Sequence, residues 1–148
     1  MSRTLSIRRI AMAVGCVLTL SGIVGCSNTP TNPTANVPFS RDDLLLGTGT
    51  EATTGKTLTV KYTGWLYDTT QTDRKGIIFD TSVGGTAFSF TLGVGDVIPG
   101  WDQGLVGMRA GGLRRLIIPP SLAYGGLRRY SIPPYSTLIF DVELVDVQ

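Results

Sequence analysis

The chain has 148 residues, 42% of them hydrophobic and 16% charged, which suits one globular domain with a sizeable core and is short for two. It holds no histidine and only two cysteines, Cys16 and Cys26, which excludes His-based triads, His-ligated zinc, a Cys-only metal cluster and a disulfide framework. The formal net charge is +2, and removal of Arg3, Arg8 and Arg9 with the N-terminus leaves ten basic against eleven acidic side chains, a balance of −1 that gives no electrostatic case for nucleic acid.

Residues 1–25 have the pattern of a secretion signal. A basic start (Arg3, Arg8, Arg9) precedes an apolar run from Ile10 to Leu20, which is short for a membrane-spanning helix. Ile23-Val24-Gly25-Cys26 resembles a bacterial lipobox, a signal in which the cysteine is acylated, commonly with palmitate, and becomes the first residue of the mature protein. An ordinary secretory signal or an uncleaved anchor with a chance cysteine is the other reading. The position of Gly25-Cys26 where cleavage is expected favours the lipoprotein. Acyl chains on Cys26 would anchor the domain to a membrane without crossing it. Residues 26–38, rich in Ser, Thr, Asn and Pro, read as a flexible linker with almost nothing to bury, either a spacer or an N-terminus without a role.

From Phe39 the composition becomes that of a folded domain, 39–148. Leu44-Leu45-Leu46 is a short apolar run ending at Gly47. Thr57 to Tyr67 alternates, with Leu58, Val60, Tyr62, Gly64 and Leu66 on one face, which predicts a half-buried strand. Asp68 to Gly76 is a polar loop, and Ile77-Ile78-Phe79 resumes extended structure. Ala87 to Leu92 is a further strand with Phe88, Phe90 and Leu92 together. Pro99 suits the first turn of a helix whose Trp101, Leu105 and Met108 share a face, with Gly107 or Gly111 to end it. Leu113 to Ile118 is a strand stopped by Pro119-Pro120, Ser121 to Pro134 is a long loop, and Thr137 to Val147 is the last strand. The expected architecture is α+β: five to six strands in a twisted antiparallel sheet wrapped around one short helix. The antiparallel expectation rests on short turns between strands adjacent in sequence.

Read in order, several strings resemble the FKBP-type peptidyl-prolyl cis-trans isomerases. They are Val60-Lys61-Tyr62-Thr63-Gly64, Phe79-Asp80-Thr81-Ser82, Phe88-Ser89-Phe90, Val97-Ile98-Pro99-Gly100-Trp101-Asp102, Gly107-Met108, Ala123-Tyr124-Gly125, Ile132-Pro133-Pro134 and Leu138-Ile139-Phe140-Asp141-Val142-Glu143-Leu144. The resemblance covers about Leu44 to Val147. It implies a sheet wrapped round a short helix and a proline pocket floored by Trp101. Tyr62, Phe79, Val97, Ile98, Tyr124 and Phe140 would form its walls, Phe88 and Ile132 its rim, and Asp80 a polar wall residue. The Ile98 N–H and the Tyr124 hydroxyl would donate to a ligand's carbonyls. Catalytic roles fall to Tyr62, Phe79, Asp80, Trp101, Tyr124 and Phe140, and substrate-binding roles to Phe88, Val97, Ile98 and Ile132.

The implied activity is isomerisation of Xaa-Pro bonds in proteins folding outside the cytoplasm, with no cofactor or metal. The implied partners are proline-containing peptides, secreted proteins as they fold, and macrolide inhibitors. With the lipobox, the expectation is a monomer anchored in the cell envelope, facing the periplasm or the cell surface. The alternative is the same fold used as a chaperone or docking module without turnover. Three departures from the family bear on specificity: a longer Tyr62–Phe79 loop, no arginine between Asp80 and Phe88, and Leu127-Arg128-Arg129-Tyr130-Ser131 in the Tyr124–Pro133 loop.

Overall fold

The computed structural model describes residues 37–148. The signal segment, Cys26 and all but the last residues of the linker lie outside the described residues. Six strands form one antiparallel sheet: β1 Ser40–Leu45, β2 Thr57–Tyr67, β3 Lys75–Thr81, β4 Phe88–Thr91, β5 Leu113–Ile118 and β6 Leu138–Val147. A single α-helix, α1 Pro99–Gly104, and a 3-10 turn at Pro120–Leu122 complete the regular structure among these residues. The order across the sheet is β1-β5-β6-β2-β3, and β4 also pairs with β2.

β2 organises the sheet. Its register with β6 runs from Leu58↔Val147 to Leu66↔Leu138 along one edge. Its other edge is shared: Thr57–Val60 pair with β4, and Thr63–Tyr67 pair with β3. This division brings Phe79 and Phe88, distant on separate strands, to neighbouring places on one side of β2. The antiparallel arrangement agrees with expectation, but the reason given for it does not. Only β2–β3 and β5–β6 join strands consecutive in sequence, and β5–β6 does so across a long loop. The strongest pairing, β2 with β6, closes over most of the domain.

The alternation in β2, β5 and β6 places Leu58, Val60, Leu116, Ile118, Leu138, Phe140, Val142 and Leu144 in one buried cluster with Trp101, Leu105 and Met108. Leu44, Leu45 and Leu46 instead stay largely exposed, because β1 is an edge strand that begins earlier, at Ser40.

The helix is shorter than its apolar spacing predicts. It stops at Gly104, with Leu105 as its C-cap, well before Gly107 or Gly111. The chain beyond is bound elsewhere: the Gly107 N–H donates to the Ala52 carbonyl at 2.8 Å and the Ala52 N–H to the Met108 carbonyl at 2.7 Å. Arg114 supplies what a further turn would have supplied. Its Nη1 donates to the carbonyls of Gly104 (2.8 Å) and Val106 (3.1 Å), satisfying orphan acceptors at the helix end. The same side chain, 7% exposed, binds Asp43 through Nε at 2.7 Å and Nη2 at 3.1 Å, a bidentate pair that offsets the burial of its charge.

A six-residue helix is not stable alone in water and holds through its packing. Gly100 and Gly104 allow that packing to be close. A Cβ at Gly100 would lie 2.4 Å from Ile118 Cγ2, and one at Gly104 would lie 2.7 Å from Leu116 Cδ2. The helix therefore sits directly on β5, with the Trp101 side chain turned to the end of the sheet where β2, β3 and β4 meet.

Candidate active site: an aromatic cavity at the start of α1

A cavity of about 340 Å³ opens at this end of the sheet. Trp101, 4% exposed, lies at its base. The indole is held by rings from three strands: Tyr62 of β2 at 5.1 Å between centroids, Phe140 of β6 at 5.2 Å, and Phe90 and Phe88 of β4 at 5.7 and 6.4 Å. Tyr62 and Phe140 stand nearly perpendicular to the indole, the edge-to-face geometry that aromatic quadrupoles favour. Phe79 packs edge-on to Phe140 at 5.4 Å. The Trp101 indole N–H meets no oxygen or nitrogen acceptor among the described residues, and aromatic rings surround the side chain. A buried N–H left to aromatic neighbours marks an apolar base to the cavity.

The polar groups stand around the mouth. The Tyr62 hydroxyl donates to Asp80 Oδ2 at 2.7 Å. Burial, first, and then the Asp80 hydrogen bond and charge push the Tyr62 phenol well above its ordinary value. Tyr124 is raised as well. Its partial burial is the main cause, and the nearby Arg129 charge opposes it. Both hydroxyls therefore remain protonated donors at neutral and mildly alkaline pH. Among the described residues no acceptor takes the Ile98 N–H, whereas the Ile98 carbonyl receives the Trp101 N–H at 2.9 Å and the Asp102 N–H at 3.3 Å.

The lip that carries Val97 and Ile98 is fixed by a neighbour. Asp102, in the first turn of α1, accepts from the Gly93 N–H (2.8 Å) and the Gly95 N–H (3.0 Å), and Asp96 accepts from the Thr91 N–H (3.0 Å). The opposite wall hangs from the 3-10 turn. The Gly125 N–H donates to the Pro120 carbonyl at 2.8 Å and the Tyr135 N–H to the Gly125 carbonyl at 2.7 Å, which sets Tyr124 in place.

Tyr62, Phe79, Asp80, Phe88, Val97, Ile98, Trp101, Tyr124 and Phe140 all border this one cavity. Ile132 does not. It is 5% exposed and borders an adjoining cavity, together with Phe79, Asp80, Tyr124, Arg129, Tyr130 and Ser131. The loop between Tyr124 and Pro133 doubles back as a hairpin, and this turns Ile132 inward rather than to the rim. Three contributors escaped the sequence reading: Asp96 and Arg129 on the wall, and Phe90 behind Trp101. Phe90 was visible as the partner of Phe88 in a two-residue alternation. Arg129 sits in a loop with no periodicity, so the altered string Leu127–Ser131 was visible but not which of its side chains reaches the wall.

The family profile of the FKBP-type peptidyl-prolyl cis-trans isomerase matches residues 48–145. An FK506-binding protein of Neisseria meningitidis serogroup B is 47% identical over 108 residues, covering 72% of this chain and 93% of that protein. FK506-binding protein 4 of Neurospora crassa is 47% identical over 107 residues. The chain spans about a fifth of the length of that fungal protein, 21%, and 22% of the peptidyl-prolyl cis-trans isomerase FKBP53 of Arabidopsis thaliana. Among solved structures, AtFKBP13 matches with a TM-score of 0.64 and 36% identity, over 74% of this chain and 93% of its own. FkpA from Escherichia coli matches with a TM-score of 0.64 and 41% identity, over 74% of this chain and 48% of its own. A sheet closed on one short helix, with an aromatic cavity at the helix start, defines the FKBP class of fold. This chain belongs to the FKBP-type peptidyl-prolyl cis-trans isomerase family.

Proposed function

We propose that this chain catalyses cis-trans isomerisation of Xaa-Pro peptide bonds in proteins folding outside the cytoplasm, from an N-terminal lipid anchor at Cys26. The observation that carries the catalytic reading is the Trp101 cavity, apolar at its base and ringed with donors at its mouth.

The chemistry requires no covalent step. Rotation about an Xaa-Pro bond breaks amide resonance, at a barrier of roughly 18–20 kcal/mol. The planar amide has more charge separation than the twisted one. An apolar aromatic base therefore favours the twisted state, and catalysis follows from that difference in binding. In this reading Trp101 takes the prolyl ring, with Tyr62, Phe79 and Phe140 enclosing it. The Ile98 N–H and the Tyr124 hydroxyl hold carbonyls of the flanking peptide, so that rotation takes place in a fixed frame. Asp80, held by Tyr62, places negative charge beside the amide carbon and nitrogen. Each tenfold in rate requires about 1.4 kcal/mol of preference for the twisted amide.

The Neisseria and Neurospora relatives are named for binding FK506, which supports macrolide binding in the same cavity. Secretion and anchoring are supported by the basic start, the apolar run and Gly25-Cys26. With the linker as spacer, the domain would act as a monomer at the membrane surface, in the periplasm or on the cell exterior.

A protease-coupled assay on an Ala-Leu-Pro-Phe peptide tests the activity. Acceleration that a macrolide abolishes is the expected result, and no acceleration would leave only a binding module. The mass of the mature protein tests the anchor: a diacylated or triacylated chain beginning at Cys26 is expected, and an unmodified N-terminus elsewhere removes it.

A further inference from the structure

The loop between Tyr124 and Pro133 places a cation on the cavity wall. Arg129 and Ile132 form a closed hairpin: the Arg129 N–H donates to the Ile132 carbonyl at 3.1 Å and the Ile132 N–H to the Arg129 carbonyl at 2.8 Å. The two residues between them make the turn, and Tyr130 adopts a left-handed φ of 49° to do so. The Arg129 backbone is thereby tied in both directions.

Its side chain is also set. The guanidinium carbon lies 5.8 Å from the Tyr124 ring centroid and 5.5 Å from that of Tyr130, within the range of cation–π attraction. It borders both the Trp101 cavity and the adjoining one, and among the described residues it is the one cation lining either. Among the described residues no carboxylate lies within ion-pair distance of it. The acids that border these cavities hold other partners: Asp80 accepts from the Tyr62 hydroxyl and Asp96 from the Thr91 N–H.

We propose that Arg129 selects substrates with a carboxylate side chain next to the proline, seated in the adjoining cavity against Tyr124 and Tyr130. This rests on the isomerase reading above. A guanidinium presents its donors as a planar fork that matches a carboxylate in a bidentate way, and stacking on aromatic rings leaves that fork edge free. Asp80 opposes an acid on the strand side of the wall, which confines the favourable position to the hairpin side, where Arg129 and Ser131 stand.

The test compares glutamate with glutamine, which are matched in shape, so that apolar contacts cancel. Two peptide pairs carry Glu or Gln immediately before or immediately after the proline. Each is measured for isomerisation rate and, separately, for binding by NMR shift titration. At one of the two positions the wild type is expected to favour Glu by about twofold to fivefold, the range an exposed ion pair supports. That ratio should fall towards one in Arg129→Gln and in about 1 M salt, where screening is strong. It should persist in Arg128→Gln, which keeps the loop and the charge count of the control. Equal handling of Glu and Gln by the wild type at both positions, or a preference that survives Arg129→Gln, would overturn the assignment. Loss of turnover on every peptide with the binding preference intact would sink the isomerase reading and leave the role of Arg129 standing.

Discussion

The Tyr62 hydroxyl reaches Asp80 Oδ2 at 2.7 Å across the β2–β3 pair, at the mouth of the cavity. Ser82 lies opposite Tyr62, its N–H bonded to the Tyr62 carbonyl and its hydroxyl to the Tyr62 N–H. Asp80 is thus the diagonal neighbour on the same face, where long side chains of paired strands meet. Tyr62→Phe leaves the ring packing on Trp101 and removes only this bond. Its kcat/KM should fall about threefold to tenfold, while the unfolding free energy measured in urea should fall by about 1 kcal/mol or less. An unchanged kcat/KM would show that the Asp80 carboxylate needs no such support.

The two tyrosines also predict a pH profile. Both phenols titrate above their ordinary value of 10.0, Tyr62 and Tyr124 alike chiefly through burial. The neutral phenol is the donor, so the donors are retained as pH rises and lost only beyond the raised values. kcat/KM measured from about pH 6 to about pH 10 should therefore be flat on its alkaline side. A descending limb within that range, absent in Tyr62→Phe or in Tyr124→Phe, would place the functional titration on a tyrosine with an ordinary pKa.

Gly64 shows how closely the cavity wall is built. A Cβ there would lie 2.6 Å from Phe79 Cζ and 2.9 Å from Phe140 Cε1. Gly64→Ala must push Phe79 into the space a prolyl ring would take. The expected result is a loss of kcat/KM of at least tenfold, with a stability loss of about 1–3 kcal/mol from overpacking. Wild-type kinetics in this variant would mean that the Phe79 ring moves aside without cost to catalysis.

On the outer side of the sheet, Asp141 gathers two cations. Lys75 Nζ lies 2.7 Å from Oδ2, and Arg115 binds through Nε at 2.7 Å and Nη2 at 2.9 Å. Lys75 also sits 3.9 Å over the Trp65 ring. Burial alone would raise the Asp141 carboxyl, but the hydrogen bonds and charges of Arg115 and Lys75 outweigh it and hold it below its ordinary value of 3.8. A carboxyl depressed in the folded state adds stability above its unfolded value and loses it as pH falls through the folded one. Asp141→Asn should cost about 2 kcal/mol in urea unfolding at pH 7. The gap between variant and wild type should narrow below about pH 4. A gap independent of pH would assign the loss to packing.

Much of the fold was legible because its core strands alternate. Leu58 and Val60, or Leu138, Phe140, Val142 and Leu144, show a two-residue period that only a half-buried strand explains. The helix length was not legible, because Leu105 and Met108 keep helical spacing while the backbone beneath them has already left the helix. What ends it, the Arg114 side chain and the Ala52 backbone, comes from elsewhere in the chain. The cavity residues were readable only as an ordered set of strings, since each aromatic taken alone is an ordinary core residue. Ile132, expected at the rim, borders the adjoining cavity instead, and Arg129, to which no position was assigned, borders both, because a two-residue hairpin and not periodicity sets this loop.

Catalysis by the Trp101 cavity is tested most directly by two-dimensional NMR exchange on a Leu-Pro peptide with the protein at substoichiometric concentration. Uncatalysed interconversion takes tens to hundreds of seconds and gives no exchange peaks on the sub-second scale. The wild type is expected to produce cis–trans exchange peaks at mixing times well below a second, weakened at least tenfold in Phe79→Ala and in Asp80→Ala while both variants keep the wild-type fold. Peptide shifts that report binding without any exchange peaks, or exchange unaffected by both substitutions, would contradict it.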